Sequence, residues 1–310
     1  MKEIRLSVKA VVGTNAWGGA LYGKMLRGSY VEEDVIREAV QAAMDEDIAI
    51  FDTARDYGLG KGQPIVGRVC PEGTLISAKY TPGPRYREGQ VRNSFEKDLR
   101  DFGRDSVDVY WLHLPNAIQE NLSEMIRLYR EGKIRNIGVS NFNLEECRLA
   151  KQILEEAGIP LYGVQNHYSL LDRRWEREGL VSWCQENGIS FWAWAVLEEG
   201  TLVPPKKSEK KTIMKLLFTR KRRKLFPLYR VMQEVGRAHR LKIPQVAMSY
   251  VASKGIVPIC GCRKPYQVKE LAAAVRVKLS EEEIAQLEKA ADETGVKILG
   301  ADMFRFAVRK

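Results

Sequence analysis

The sequence predicts a single-domain α/β protein, a (β/α)8 (TIM) barrel, on three observations. Short apolar runs alternate with longer amphipathic stretches, the apolar runs number eight, and a length of 310 residues suits one such barrel. The runs are rich in Val, Ile and aromatic residues, as buried parallel strands are. The predicted strands lie at 10–14, 48–52, 75–79, 107–113, 134–140, 161–166, 189–194 and 256–260.

The stretches between these runs have helical periodicity and complete the βα units. They lie at 32–45, 88–102, 120–131, 143–157, 173–187 and 225–240. A doubly wound dinucleotide-binding sheet is the main alternative, and it usually carries G-x-G-x-x-G after its first strand. The corresponding segment here, VVGTNAWGGALYG at 11–23, lacks that spacing. The barrel is therefore the favoured arrangement.

The net charge of +10 is concentrated in one segment of the chain. Residues 201–224 contain ten Lys and Arg against a single acid, Glu209, so the rest of the chain is close to neutral. A nucleic-acid-binding protein would carry its cations along a binding face. We therefore predict no nucleic-acid partner, and we place a basic loop insertion at about 198–224.

The lengths of the apolar runs and the pattern of cysteines indicate which compartment and which kind of site the protein has. No apolar run reaches the roughly 18 residues of a transmembrane helix, so we expect no stable membrane association. The five cysteines, at 70, 147, 184, 260 and 262, form an odd and scattered set without paired metal-ligand spacing. Such a set is typical of free thiols in a reducing compartment. We predict a cytoplasmic protein without a metal site.

Ionisable side chains fall at the ends of three successive predicted strands. Asp52 ends the second strand, Lys79 the third and His113 the fourth, while Tyr57 lies in the loop after Asp52. Each alone has an ordinary structural explanation, as a turn carboxylate, a solvated lysine, a core histidine or a loop aromatic. Because the carboxyl ends of barrel strands form the face where active sites lie, the four together predict an active site.

Six sequence motifs are spread along nearly the whole chain. They are FDTARDYG (51–58), ISAKY (76–80), VDVYWLHLPN (107–116), GKIRNIGVSNF (132–142), VQNHYSLLDR (164–173) and IVPICGCRKPYQVKE (256–270). In the order and spacing of these motifs the sequence resembles the aldo-keto reductase family. The resemblance implies an NADP-dependent oxidoreductase that reversibly reduces an aldehyde or ketone to an alcohol, with Asp52, Tyr57, Lys79 and His113 as its catalytic tetrad.

The chemistry of the four residues follows from the reaction. A carbonyl that accepts hydride gains negative charge on its oxygen and needs a proton donor with hydrogen-bonding support. We assign Tyr57 as this general acid and expect the Lys79 ammonium to lower its pKa from the usual value of about 10. Asp52 would hold Lys79 charged and oriented. A neutral His113 would donate a hydrogen bond to the developing oxyanion.

The resemblance also implies contacts to the cofactor, for which we expect NADP(H) to be preferred and NAD(H) to be possible. Arg263 beside Lys264 motivates the preference, because a guanidinium pairs well with a 2′-phosphate. Trp17, Tyr57 and His113 are expected to line the substrate pocket. The predicted cofactor-binding residues are Thr14, Asp52, Ser140, Asn141, Gln165, Trp194, Gly261, Arg263, Gln267 and Glu270.

Two positions depart from the family pattern near the cofactor. After Trp194, AVLEEG at 195–200 replaces the usual Ser-Pro-Leu-Gly, and Leu271 stands where Asn is common. We expect the first change to alter the contact to the pyrophosphate and the second to loosen adenine recognition. His167 and His239 are interpreted as structural residues.

Two terminal or inserted segments are expected to cover the active-site face. We interpret 206–224 as a basic lid over the cofactor, with a solvated loop or a basic amphipathic helix as alternatives. The tail at about 296–310 would close the substrate pocket or pack on the barrel.

Two other functions stay open beside carbonyl reduction. A Schiff-base aldolase would also use a strand-end lysine, here Lys79, and borohydride trapping of substrate would reveal it. A regulatory barrel could bind the cofactor without catalysis. The sequence predicts a small-molecule carbonyl or alcohol substrate and leaves its identity, the preferred direction and the oligomeric state open.

Overall fold

A computed structural model describes residues 8–26, 29–205 and 221–298. Its core is a closed barrel of eight parallel strands in chain order, in which the last strand pairs with the first. The predicted (β/α)8 fold is thereby confirmed, and every predicted strand overlaps an observed one. The strands are β1 (Val11–Gly13), β2 (Ile50–Asp52), β3 (Leu75–Tyr80), β4 (Val109–Leu112), β5 (Ile137–Ser140), β6 (Gly163–His167), β7 (Ser190–Trp194) and β8 (Val257–Gly261).

Helices surround the barrel, and short 3₁₀ turns at Tyr57–Gly60, Glu198–Gly200 and Arg222–Leu225 lie in its loops. In the described ranges the helices are α1 (Ala20–Leu26), α2 (Glu33–Asp45), α3 (Gly62–Val69), α4 (Gln90–Phe102), α5 (Ile118–Arg130), α6 (Leu144–Glu156), α7 (Arg174–Arg177), α8 (Leu180–Glu186), α9 (Phe226–His239), α10 (Ile243–Ser253), α11 (Pro265–Val275) and α12 (Glu281–Glu293). The hydrophobic periodicity of the sequence did not predict α10. Every residue from Gln245 to Val251 is buried, so this helix has no polar face that would make it recognisable as amphipathic.

Aromatic side chains fill the interior of the barrel beneath the active-site face. Trp111 on β4 and Trp192 on β7 are fully buried, with ring centroids 4.9 Å apart. Gly138 is required beside them, because a Cβ there would lie 2.4 Å from the Trp111 ring. The Trp111 indole donates to the Ser77 hydroxyl at 2.7 Å. The packed interior therefore supports β3, the strand that carries Lys79.

The outward faces of the strands pack against the helices. Tyr110, next to Trp111 on β4, contacts Phe95 of α4 with ring centroids 4.9 Å apart. Capping boxes at Asn143 and Ser280 satisfy backbone N–H groups at the starts of α6 and α12. Alternate residues of one strand thus serve the barrel interior and the helical layer.

Two predicted segments fall largely outside the described residues. Residues 206–220, which hold most of the basic insertion, and 299–310, most of the tail, are not covered, so the lid and the tail stay predictions. Within the parts that are described, no helix is long and apolar enough to cross a membrane.

Candidate active site

Asp52 is fixed at the C-terminal end of β2 by three donors. Its side chain is buried. The Ser77 hydroxyl and the Gln165 amide donate to Oδ1 at 2.8 and 3.0 Å, and the Lys79 ammonium donates to Oδ2. Burial of a carboxylate is unfavourable unless it is paired and hydrogen-bonded. These contacts therefore fix the position of the charge as well as that of the side chain.

Lys79, the fifth residue of β3, uses all three of its ammonium protons. Nζ donates to Asp52, to the Thr53 carbonyl at 3.1 Å and to the Tyr57 hydroxyl oxygen at 3.3 Å. An ammonium group has three donors and no acceptor. The Tyr57 oxygen therefore accepts a hydrogen bond from Lys79, and the phenol proton is directed to another acceptor.

The pKa of Tyr57 shifts in the direction opposite to the prediction. Loss of solvation raises the pKa well above 10, and the charges of Asp52, Asp56 and Glu199 add to the increase. The expected lowering by Lys79 is contradicted, because Asp52 balances that ammonium and itself acts on the phenol. A raised pKa keeps Tyr57 protonated, which is the form that a proton donor requires.

His113 follows β4 and is 6% exposed. Its Nδ1 lies 2.8 Å from the Thr81 hydroxyl oxygen. Burial and then the positive charge of Lys79 lower the pKa of His113 to about 3. The imidazole is therefore neutral at physiological pH, in agreement with the prediction, and one of its two ring nitrogens carries a proton.

Three of the predicted cofactor residues meet where β5 and β6 end. The Ser140 hydroxyl donates to the Gln165 carbonyl at 2.7 Å, and Asn141 Nδ2 donates to the His113 carbonyl at 3.0 Å. Asn141 has a φ of 62°, a left-handed conformation that asparagine tolerates better than most residues. Trp194, at the end of β7, donates its indole N–H to Asn141 Oδ1 at 3.2 Å. Asn141 Nδ2 also donates to Ser140 Oγ at 3.2 Å, so the side chains of Ser140, Asn141 and Trp194 form one hydrogen-bonded group, which contacts Gln165 through its backbone carbonyl.

The residues predicted for the adenosine end follow β8, which ends at Gly261. The Arg263 backbone N–H donates to Gln267 Oε1 at 2.8 Å, so these two residues are in contact. The Arg263 guanidinium donates to the Ser29 carbonyl at 2.9 Å. Glu270 accepts a hydrogen bond from Lys242 at 2.5 Å. The Glu270 carboxylate is therefore already paired.

Two predicted site residues have mainly structural contacts. Trp17 is fully buried, and its indole donates to the Cys262 carbonyl at 2.8 Å. The Trp17 side chain is thus enclosed by other residues, and its expected place in the substrate pocket stays a prediction. The Thr14 hydroxyl donates to the Asp52 carbonyl at 2.9 Å and so connects the end of β1 to that of β2.

Sequence reasoning missed two hydroxyl residues of the site. Ser77 donates to Asp52, and Thr81 lies beside His113. Both could have been found from strand periodicity, because residues 77, 79 and 81 alternate along β3 and its extension and share the face of Lys79. Across the described ranges, no group of three or more His, Cys, Asp or Glu is arranged to hold a metal ion.

Comparison with known proteins identifies the family of the chain. The model of the aldo/keto reductase family matches residues 10–292. Chloroplastic pyridoxal reductase of Arabidopsis thaliana is 29% identical over 305 residues, covering 91% of this chain and 82% of the relative.

Solved structures give the same result for the fold. The thermostable aldo-keto reductase Tm1743 in complex with the inhibitor epalrestat has a TM-score of 0.70 and 26% identity, covering 92% of this chain and 95% of that one. An aldo-keto reductase from Klebsiella pneumoniae in complex with NADPH has a TM-score of 0.69 and 23% identity, covering 91% of this chain and 90% of that one. With a family match over most of its length, the chain belongs to the aldo/keto reductase family.

Proposed function

We propose that the protein reduces an aldehyde or ketone to an alcohol with NADPH, and that Tyr57 is the general acid. The observation that carries the proposal is the hydrogen bonding of Lys79, which donates to Asp52, Thr53 and Tyr57. Because the Tyr57 oxygen accepts from Lys79, its own proton is available to a carbonyl oxygen in the barrel mouth.

Lys79 and Asp52 also support Tyr57 after the proton has left. The product of proton donation is a phenolate, and the Lys79 ammonium 3.3 Å away stabilises that charge. Asp52 keeps the ammonium in place through its own buried hydrogen bonds. The group therefore holds a protonated phenol before the reaction and a stabilised phenolate after it.

His113 is assigned to the carbonyl oxygen as a hydrogen-bond donor. If the Thr81 hydroxyl donates to Nδ1, the neutral imidazole carries its proton on Nε2. A donor placed at the developing oxyanion lowers the barrier because the charge there grows during the reaction. The pKa of about 3 means that His113 is not an imidazolium competing with Tyr57 as the acid.

The polar group at the ends of β5 and β6 fits a nicotinamide carboxamide. Asn141 Oδ1 accepts from Trp194, and an amide oxygen has a second lone pair for the carboxamide N–H. Ser140 and Gln165 add neutral donors and acceptors beside it, which suit a neutral amide. Trp194 is half-buried and so offers an aromatic surface to the ring. When bound, the nicotinamide supplies the hydride.

Arg263 is assigned to the 2′-phosphate of NADPH. Its guanidinium has five N–H donors, so the contacts to Ser29 are compatible with a further contact to a phosphate. The Klebsiella relative was crystallised with NADPH, which supports the same preference. We therefore propose that NADPH binds more tightly than NADH.

The geometry at Lys79 favours reduction over Schiff-base chemistry. A Schiff-base lysine must present a neutral amine to the substrate carbonyl. The Lys79 side chain is 1% exposed and is ion-paired with Asp52. The ion pair occupies the ammonium and the burial keeps it out of reach of a substrate carbonyl, as expected of a residue that supports Tyr57.

The test is a panel of aldehydes, ketones and sugars, with pyridoxal included because of the Arabidopsis relative, followed by nicotinamide absorbance with NADPH and with NADH. Tyr57→Phe should reduce kcat by about 10²–10⁴, the usual contribution of a general acid, and leave the Kd of NADPH nearly unchanged. Tyr129→Phe, on α5, is the matched control and should behave as wild type.

Three outcomes of this panel would contradict the proposal. A Tyr57→Phe enzyme that kept more than about a tenth of its kcat on every accepted carbonyl would refute the role of the phenol. Equal Kd values for NADPH and NADH would refute the cofactor preference. Tight NADPH binding without turnover of any carbonyl would favour the non-catalytic alternative.

A further inference from the structure

His167, the last residue of β6, lies between two carboxylates from different loops. Its Nδ1 is 3.1 Å from Asp172 Oδ2, and its Nε2 is 3.1 Å from Glu198 Oε1. The histidine side chain is 2% exposed. Nε2 also forms a hydrogen bond with Glu198 Oε2 at 3.2 Å, whereas Nδ1 and Asp172 Oδ2 are at ion-pair distance without hydrogen-bond geometry. The ring can be charged beside both carboxylates only when both of its nitrogens are protonated.

The charge of this buried histidine follows from its neighbours. Burial alone disfavours an imidazolium, but Glu198 and Asp172 outweigh it and raise the pKa of His167 to about 9. The two carboxylates contact different nitrogens of one ring, so the three side chains do not converge on a common metal position. The arrangement is a buried ion triad with the imidazolium at its centre.

Through its ring, His167 contacts the aromatic residue proposed for the cofactor. The His167 and Trp194 ring centroids are 4.7 Å apart, and their planes are nearly perpendicular. Trp194 in turn donates to Asn141. A continuous series of contacts therefore runs from the ion triad to the group assigned to the nicotinamide.

Through Glu198, His167 also fixes the loop that follows β7. Ala195, Glu198 and Glu199 all have positive φ, at 60°, 49° and 50°, a conformation that is unfavourable for these residues. The Glu198 carboxylate is buried and also accepts from the Ser169 hydroxyl. A loop in such a conformation persists only when surrounding contacts determine it, and the buried carboxylate supplies them.

We propose that His167, held between Asp172 and Glu198, is a positioning residue that sets Trp194 and the loop after β7 for the nicotinamide end of the cofactor. The inference rests on the proposed function, because Trp194 is assigned to the nicotinamide there. The inference adds a residue to the proposed function, because His167 is itself inaccessible and acts through Trp194 and Glu198.

The test compares two ligands that differ in the nicotinamide. His167→Gln should weaken NADPH binding about tenfold, the scale of one lost charge-assisted contact. The same substitution should leave the Kd of adenosine 2′,5′-bisphosphate, which lacks the nicotinamide, within about twofold of wild type. His239→Gln is the matched control, because His239 is also paired with a glutamate, Glu283 at 2.7 Å, on the outer helices.

Glu198→Gln tests whether the pair acts as a unit. It keeps the histidine and removes the charge of the partner that belongs to the loop after β7, while Asp172 stays, so it should weaken NADPH binding to a similar extent. If the two residues act through one contact, the double variant should be about as weak as either single variant rather than the product of both. Circular dichroism and thermal unfolding establish that each variant is folded.

The outcomes separate this inference from the proposed function. A wild type that binds NADPH and reduces carbonyls, together with a His167→Gln variant that binds NADPH equally well, overturns the inference alone. Equal losses for NADPH and adenosine 2′,5′-bisphosphate also overturn it, because they indicate a general loss of structure. A wild type that binds no dinucleotide overturns the proposed function and the inference with it.

Ring-nitrogen NMR tests the geometry without any ligand. The chain has three histidines, so single variants assign each signal. Both nitrogens of His167 should be protonated at about pH 7.5, whereas His113 should carry one proton. An unprotonated nitrogen on His167 at that pH would contradict the ion triad.

Discussion

Two histidines at the mouth of the same barrel differ in charge: one is neutral and the other is an imidazolium. His113 follows β4 and His167 ends β6, and both are nearly inaccessible, at 6% and 2% exposure. The pKa of His113 is lowered to about 3 and that of His167 is raised to about 9. Burial lowers the pKa at both places and is the main cause at His113, so burial does not decide the difference in charge between the two rings.

The neighbouring charges decide it. His113 lies near the Lys79 ammonium, which adds to the effect of burial, whereas His167 lies between Asp172 and Glu198, which oppose it. A neutral imidazole suits the carbonyl oxygen because it donates a hydrogen bond without releasing a proton. An imidazolium suits the loop after β7 because it holds a buried carboxylate there. We therefore call the part of the barrel mouth around His113 the reacting side and the part around His167 the supporting side.

The largest expected difference between the two histidines is a loss of turnover when His113 is replaced. His113→Phe keeps a ring and removes both nitrogens, so kcat should fall by about 10²–10³, as for the loss of one oxyanion donor. The Kd of NADPH should stay within about threefold, in contrast to His167→Gln, which should act on the Kd. Steady-state kinetics and cofactor titration measure both quantities. A His113→Phe enzyme with weaker NADPH binding and normal kcat would reverse the assignment of the two histidines.

A smaller effect concerns stability against pH, for which the two histidines have opposite signs. Between pH 6.5 and about 9, His167 keeps a proton that the unfolded chain has released, so the free energy of unfolding should fall as the pH rises. Between pH 6.5 and about 3, this histidine is protonated in the unfolded chain but His113 stays neutral in the folded protein. The free energy of unfolding should therefore fall as the pH falls.

Urea unfolding at several pH values measures this difference. The contribution of His167 should decline by up to about 3 kcal/mol across its window, and His167→Gln should lack that decline. Wild type and His167→Gln with the same slope between pH 6.5 and 9 would mean that the histidine is not charged in the folded protein.

The sequence predicted the parts of this molecule that depend on order along the chain. The eight strands, the strand-end positions of Asp52, Lys79 and His113, and the neutral state of His113 all follow from alternation and from proximity in consecutive strands. Ser77 follows the same alternation along β3, so its position beside Asp52 could also have been predicted.

Features that depend on contacts between distant loops were not predictable. The pairing of His167 with Glu198 joins the end of β6 to the loop after β7, where no periodic pattern exists. The pKa of Tyr57 rises rather than falls because the phenol is buried and because Asp52, Asp56 and Glu199 lie near it, which are properties of the three-dimensional structure. The hydrogen bond from the Trp17 indole to the Cys262 carbonyl joins the loop after β1 to the loop after β8, and no periodic pattern indicates it.

The most direct measurement follows hydrogen transfer to the substrate. Wild-type enzyme is given NADPH with deuterium at both C4 positions and an accepted aldehyde, and the alcohol is analysed by mass spectrometry. We expect one deuterium on the carbinol carbon, and we expect the alcohol to form about 10²–10⁴ times more slowly in Tyr57→Phe. An alcohol without deuterium, or borohydride trapping of the substrate on Lys79, would contradict this expectation.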